Sequence, residues 1–215
     1  MQYLVVCSLF FACQAPKKQV DTTTVLPFFN TAILTPEWID TTDASYKNIH
    51  CIAPFSLVNQ FGETINNATY AGKIYVADFF FVSCPGICPK LTKNMGILQE
   101  TYKNDPGVLL LSHTVMPEKD SVAVLQEYAL ENNVLASKWN LVTGAKKELY
   151  NLARTSYFAD EDFEKTQDIT AFIHTENFLL IDAKGRIRGV YNGTLPLEVA
   201  RLSRHITLLK NELRQ

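Results

Sequence analysis

Apolar strand runs alternating with helical periods, then a hairpin and a closing amphipathic helix, predict a thioredoxin-like α/β domain: a central mixed β-sheet flanked by helices. Three stretches carry that expectation. Residues 73–82, KIYVADFFFV, are almost continuously apolar, as a strand covered on both faces requires. Leu91, Met95, Leu98 and Tyr102 recur at steps of four, three and four, the spacing of one helix face. Phe178–Asp182 and Ile187–Tyr191 flank the turn Ala183-Lys184-Gly185, a hairpin signature.

The other elements follow in order. Residues 55–65, FSLVNQFGETI, read as a short strand, a Phe-Gly turn and a second extended piece. Pro89 suits the first turn of a helix through Asn104, which Asp105-Pro106-Gly107 stops. VLLLSHT (108–114) is a second buried strand, and Ser121 is a suitable N-cap for a helix to about Glu131. Trp139–Val142 is a short strand, Gly144 a turn and Ala145–Thr155 a helix. Residues 156–172 are polar and aromatic without a period and read as an insertion. Pro196–Arg214 is amphipathic, with Leu202, Ile206, Leu209 and Leu213 along one face. There is no internal repeat.

Length and charge bound the function classes. The 215 residues suffice for one substantial domain and a tail, at an ordinary 47% apolar and 20% charged content. Twenty basic residues against 22 acidic ones leave a net charge of −2 and no basic stripe, which argues against nucleic acid as a partner.

Tyr3–Ala12 is too brief to span a bilayer but has the length of an export signal's apolar core. It ends in Phe10-Phe11-Ala12-Cys13, and the polar stretch QAPKKQVDTTT follows. A small residue before a cysteine at this place resembles a bacterial lipoprotein cleavage site, at which Cys13 is lipidated and Cys7 is lost. Phe10 stands where such sites usually carry Leu, and no Lys or Arg precedes the run; a buried N-terminal strand is the alternative. The expected organisation is a signal and lipidation segment over 1–13, a linker and lead-in over 14–50, and a thioredoxin-like domain over 51–215. The domain is then held at a membrane on the extracytoplasmic, periplasmic side.

Ser83-Cys84-Pro85-Gly86-Ile87-Cys88-Pro89 lies between a buried strand and a helix, where α/β folds place reactive groups. Unpaired helix N–H groups favour thiolate, the form that attacks disulfides and binds soft metals. Three intervening residues bring the sulfurs within about one helical turn, close enough to share a metal or to oxidise to a disulfide. A purely structural disulfide is the plainer reading. Two thiolates suit Cu(I), and an added imidazole makes a set that also holds Cu(II). Of four histidines, His50 lies in the lead-in, His205 on the last helix, and His113 at a strand end as a capping or core residue. His174 stands four residues before the Phe178 strand, in the loop that faces the cysteine motif in a thioredoxin-type fold. Asp78, six residues before Cys84, is a candidate proton relay or else a fold-stabilising hydrogen-bond partner. Cys51 reads as a buried small hydrophobe.

Three segments, GKIYVADFFFVSCPGICPKLTKNM, LLLSHTVMPEKDSVAVLQEYA and HTENFLLIDAKGRIRGVY, make the chain resemble the Sco/SenC family of copper-binding assembly proteins over roughly residues 54–210. The resemblance implies that Cys84, Cys88 and His174 are copper ligands. It implies a role in delivering copper to the binuclear centre of cytochrome c oxidase subunit II, or in reducing that subunit's cysteines. Met116-Pro117 departs from the family's usual Asp-Pro.

The expected function is a copper metallochaperone, and the alternative is an extracytoplasmic thiol–disulfide oxidoreductase using Cys84 and Cys88 as a redox pair. A general oxidoreductase would not need His174 and more often carries Trp-Cys-x-x-Cys. A thiol peroxidase would place Thr or Ser three residues before its reactive cysteine, where this chain has Phe81.

Overall fold

Residues 74–80 are buried to the last side chain, as their apolar run requires, and lie inside a seven-stranded sheet. The computed structural model describes residues 25–160, 163–169 and 171–214. The export run with Cys7 and Cys13, and the first part of the linker, lie outside the described residues. In chain order the elements are β1 (Phe28–Phe29), β2 (Pro36–Glu37), a 3-10 turn (Ala44–Asn48), β3 (Ser56–Asn59), β4 (Thr64–Asn66), α1 (Asn67–Tyr70), β5 (Ile74–Phe80), α2 (Cys88–Tyr102), β6 (Val108–Thr114), α3 (Val122–Glu131), β7 (Trp139–Thr143), α4 (Lys146–Thr155), α5 (Phe163–Thr166), β8 (Asn177–Ile181), β9 (Ile187–Asn192) and α6 (Pro196–Glu212).

The strand order is β4-β3-β7-β6-β5-β8-β9. β5, β6 and β7 run parallel, with α2 and α3 as the crossovers that parallel pairing demands. β3, β4, β8 and β9 extend the sheet antiparallel. Alternation along β5 divides the core in two. Ile74, Val76 and Phe80 pack with residues of α2, α3 and α6, whereas Tyr75, Ala77 and Phe79 pack with α1, α4 and the segment after α4. Among the described residues no helix is long and apolar enough to cross a membrane.

Three stretches differ from the sequence-based expectation. The lead-in packs on the domain where the described residues begin: Leu26 and Phe28 are buried, and Arg188 holds the backbone of Leu26 and Pro27. Its guanidinium donates to the carbonyls of Leu26 at 2.7 Å and Pro27 at 3.0 Å and lies 4.2 Å over the Phe28 ring. Residues 156–172 are not simply a polar insertion either, because Tyr157, Phe158 and Ala159 enter the core beside α4. Leu213 leaves the apolar face of the last helix; that helix ends at Glu212, and Leu213, its C-cap, is 53% exposed.

Candidate metal centre

β5 delivers the chain to the cysteine motif, and a buried carboxylate fixes the delivery. Asp120 Oδ2 accepts the Val82 N–H at 3.2 Å and the Thr114 hydroxyl at 2.5 Å. The Val115 N–H bonds the Phe80 carbonyl at 2.9 Å, so the ends of β5 and β6 stay together. α2 then opens with Cys88 without a side-chain cap. Its free N–H groups turn to sulfur instead.

The two thiols are driven apart. Burial raises the pKa of Cys84, but hydrogen bonds from the Cys88 thiol and from the N–H groups of Cys88, Gly86 and Ile87 outweigh it, and the thiol falls below its ordinary value. Cys88 is pushed up to about 12 by burial and by donating to Cys84. The expected helix-terminus thiolate is therefore Cys84, which lies outside the helix. Cys88 begins the helix and faces inward, so the same N–H groups do not reach its sulfur to the same effect. Both cysteines are free thiols.

Asp78 lies on the α2 side of β5 and is 1% exposed. Burial pushes its carboxyl up to about 7, against a hydrogen bond from the Ser112 hydroxyl. Ser112 Oγ in turn accepts the Trp139 indole N–H at 2.8 Å. Asp78 Oδ1 has no partner, and its charge contributes to the raised pKa of Cys88. Asp78 thus makes a structural bond through Ser112, while its second oxygen is left without a hydrogen-bond partner.

His174 stands on the loop before β8, its side chain exposed between buried Ile173 and Thr175. Phe172 bridges that loop to the cysteine loop, its ring edge-on to Phe81 at 5.4 Å. Cys84, Cys88 and His174 line one cavity of about 310 Å³, whose walls include Phe81, Val115 and Phe172. Among the described residues no three His, Cys, Asp or Glu side chains are grouped closely enough to hold one ion. The three donors share a cavity without forming a ready-made three-donor cluster.

The other sequence candidates fall elsewhere. His113 is a core residue stacked on Phe79 at 4.9 Å, its pKa lowered by burial to about 4. His50 bonds the Ser156 carbonyl at 2.8 Å, and His205 bonds the Tyr191 hydroxyl at 2.7 Å. Cys51 is exposed, not buried as expected: Ile49 and Ile52 turn inward, and of the two residues between them His50 is half-buried and Cys51 faces out. Asp120, Phe172 and Arg154 were not legible as site residues. Asp120 sits in Pro117-Glu118-Lys119-Asp120, which reads as a solvated turn. Arg154 carried one signal: it falls four residues after Tyr150, on the buried face of α4.

A free thiol pair between the central strand and its helix, above a buried carboxyl and across a cavity from an imidazole, defines a thioredoxin-fold protein built for thiol or soft-metal chemistry. The sequence matches the SCO1/SenC family model over residues 43–207, and the chain belongs to that family. It is similar to the SCO1 protein homolog of Bacillus subtilis, 30% identical over 144 residues that make up 66% of this chain and 74% of that one. A SCO1/SenC family lipoprotein from Bacillus anthracis aligns with a TM-score of 0.65 at 27% identity, covering 76% of this chain and 96% of that one. Yeast Sco1 with copper bound aligns at 0.54 and 25% identity, over 73% and 92% of the two chains.

Proposed function

We propose that this chain is a copper metallochaperone that binds copper through Cys84, Cys88 and His174 and assists assembly of the binuclear copper centre of cytochrome c oxidase, with subunit II or a similar copper protein as client. One observation carries the reading: two sulfurs and an imidazole, a donor set suited to copper in either oxidation state, line a single mostly apolar cavity. Copper is cargo here. Cys84, already inclined to thiolate, meets the metal first; Cys88 must give up its proton to follow, so uptake releases protons. His174 completes the set from the loop before β8. Lipidation at Cys13 would keep the domain on the extracytoplasmic face of a membrane, where such a client matures.

The uneven thiol pair favours a second role, reduction of a client disulfide. Cys84 thiolate attacks one client sulfur, expelling the other as thiolate and forming a mixed disulfide. Cys88, its proton accepted by Asp78, then attacks the Cys84 sulfur, which releases the reduced client and leaves Cys84–Cys88 oxidised.

The test uses reduced protein lacking residues 1–13, with Cys84→Ser, Cys88→Ser and His174→Ala. Wild type should retain one copper per chain, each variant should retain it weakly, and wild type should pass copper to the soluble domain of an oxidase subunit II while reducing insulin slowly. Undiminished copper retention by His174→Ala would refute the three-donor site. Fast insulin reduction without copper transfer would make the oxidoreductase the main function.

A further inference from the structure

Arg154 closes the last turn of α4, on the buried face of the helix, and is 7% exposed. Its guanidinium reaches three acceptors at once. Nε donates to Asp160 Oδ2 at 2.8 Å, Nη1 to the Ile169 carbonyl at 3.1 Å and Nη2 to the Ala171 carbonyl at 2.8 Å. The rings of Phe163 and Tyr150 lie 4.5 and 5.2 Å from its central carbon. One planar cation therefore joins the beginning of the segment after α4 to its end. From Ala171 the chain has three residues to His174: Phe172 packs on Phe81, and Ile173 is 1% exposed.

We infer that Arg154 is the positioning residue of His174, holding the imidazole's loop at the rim of the cavity without touching the cavity itself. A buried guanidinium is costly unless its partners are in place, and here two of those partners are backbone groups of the very loop that carries His174. Lys could supply the charge but not the flat fork that meets three separate oxygens. Because the backbone groups that Arg154 holds belong to the segment carrying His174, its loss acts on copper binding through the imidazole and leaves the hydrogen bonds to the Cys84 sulfur in place. The inference rests on the reading of His174 as a copper ligand.

The experiment measures copper affinity by chelator competition in wild type, Arg154→Lys, Arg154→Met, His174→Ala and the double variant Arg154→Met/His174→Ala. It adds the electron paramagnetic resonance of the cupric form and the alkylation rate of Cys84. Arg154→Met should bind copper about 10- to 100-fold more weakly, as expected for groups that orient a ligand. Nitrogen coupling should fade from its spectrum while the thiolate–copper band and the Cys84 alkylation rate persist. In the His174→Ala background the same substitution should cost nothing further. Arg154→Lys keeps a cation beside Asp160 and should fold while still losing affinity; it decides the matter if Arg154→Met does not fold. Wild-type affinity in folded Arg154 variants, or an equal loss in the His174→Ala background, overturns the inference. Unchanged affinity in His174→Ala itself would instead overturn the ligand reading beneath it.

Discussion

Asp120 and Val82 are bound carboxylate to backbone at 3.2 Å, which ties the turn after β6 to the chain two residues ahead of Cys84. The same oxygen takes the Thr114 hydroxyl, and the residue is 1% exposed. Removing the acceptor strands the Val82 N–H and the Thr114 hydroxyl together. Asp120→Ala should lower stability by about 1–3 kcal/mol in urea unfolding. It should also let the Cys84 pKa drift upward as its loop loosens. Asp120→Asn keeps an oxygen acceptor and should recover most of both effects. A wild-type unfolding midpoint in Asp120→Ala would show that the clamp holds nothing.

The two cysteines should differ sharply in reactivity. Cys84 is lowered and Cys88 raised to about 12, so near neutral pH an alkylating reagent should modify Cys84 first. In Cys84→Ser, Cys88 should react far more slowly than an ordinary thiol. Mass spectrometry of partly alkylated protein reads the order directly, and equal labelling of both sites would contradict the assignment.

Asp78 and His113 should give opposing pH dependences. Folded Asp78 titrates at about 7 against 3.8 for a free side chain, so the stability it confers is present below 3.8 and lost as pH rises towards 7. Folded His113 titrates at about 4 against 6.5, so its contribution is present above 6.5 and lost as pH falls towards 4. Between roughly 4 and 6.5 the folded chain holds the first proton and lacks the second, the unfolded chain does the reverse, and the two slopes offset. Asp78→Asn should therefore gain stability relative to wild type with rising pH, by up to about 1.4 kcal/mol per unit. His113→Phe should change in the other direction. Urea unfolding across that window measures both, and parallel curves for the three proteins would be incompatible with these protonation states.

Arg188 should control the lead-in. Besides the carbonyls of Leu26 and Pro27 it pairs with Glu212 at 2.8 Å, at 2% side-chain exposure. Arg188→Met leaves Glu212 without its cation and the backbone at Leu26 and Pro27 without a donor, a change of the kind that costs about 3–5 kcal/mol. Limited proteolysis should then cut within residues 25–50 well before the rest of the domain. Resistance equal to wild type would mean that apolar contacts of Leu26 and Phe28 suffice.

The sheet and its main helices were legible because their signals are local. The apolar runs of β5 and β6 and the four-three-four spacing of α2 each report burial residue by residue, and Ser121 caps α3 as its chemistry suggests, accepting the Val124 N–H. The cysteine motif was legible for the same reason, as strand, thiols and helix follow one another directly. What was not legible depends on approach across the fold. The unequal pKa values of Cys84 and Cys88 arise from which sulfur the free N–H groups happen to face. Asp120 and Arg154 gain their meaning from backbone groups far from what their neighbours in sequence suggest. The lead-in looked irregular because Phe28 and Leu26 pack against β9 and α6, elements that no local period in residues 25–50 encodes.

The placement of the lead-in has a mechanical consequence. The Leu26 N–H meets Glu212 at 3.4 Å, and Val25 lines the same cavity as Ile74, the residue at the end of β5 opposite the cysteine motif. Any pull transmitted from upstream of residue 25 is thus applied at one pole of the sheet, with the thiols and His174 at the other. Were Cys13 lipidated as proposed, the domain would be held by its base, with the mouth that carries Cys84 turned away from the point of attachment. A force applied there would load Arg188 and Glu212 before it reached β5.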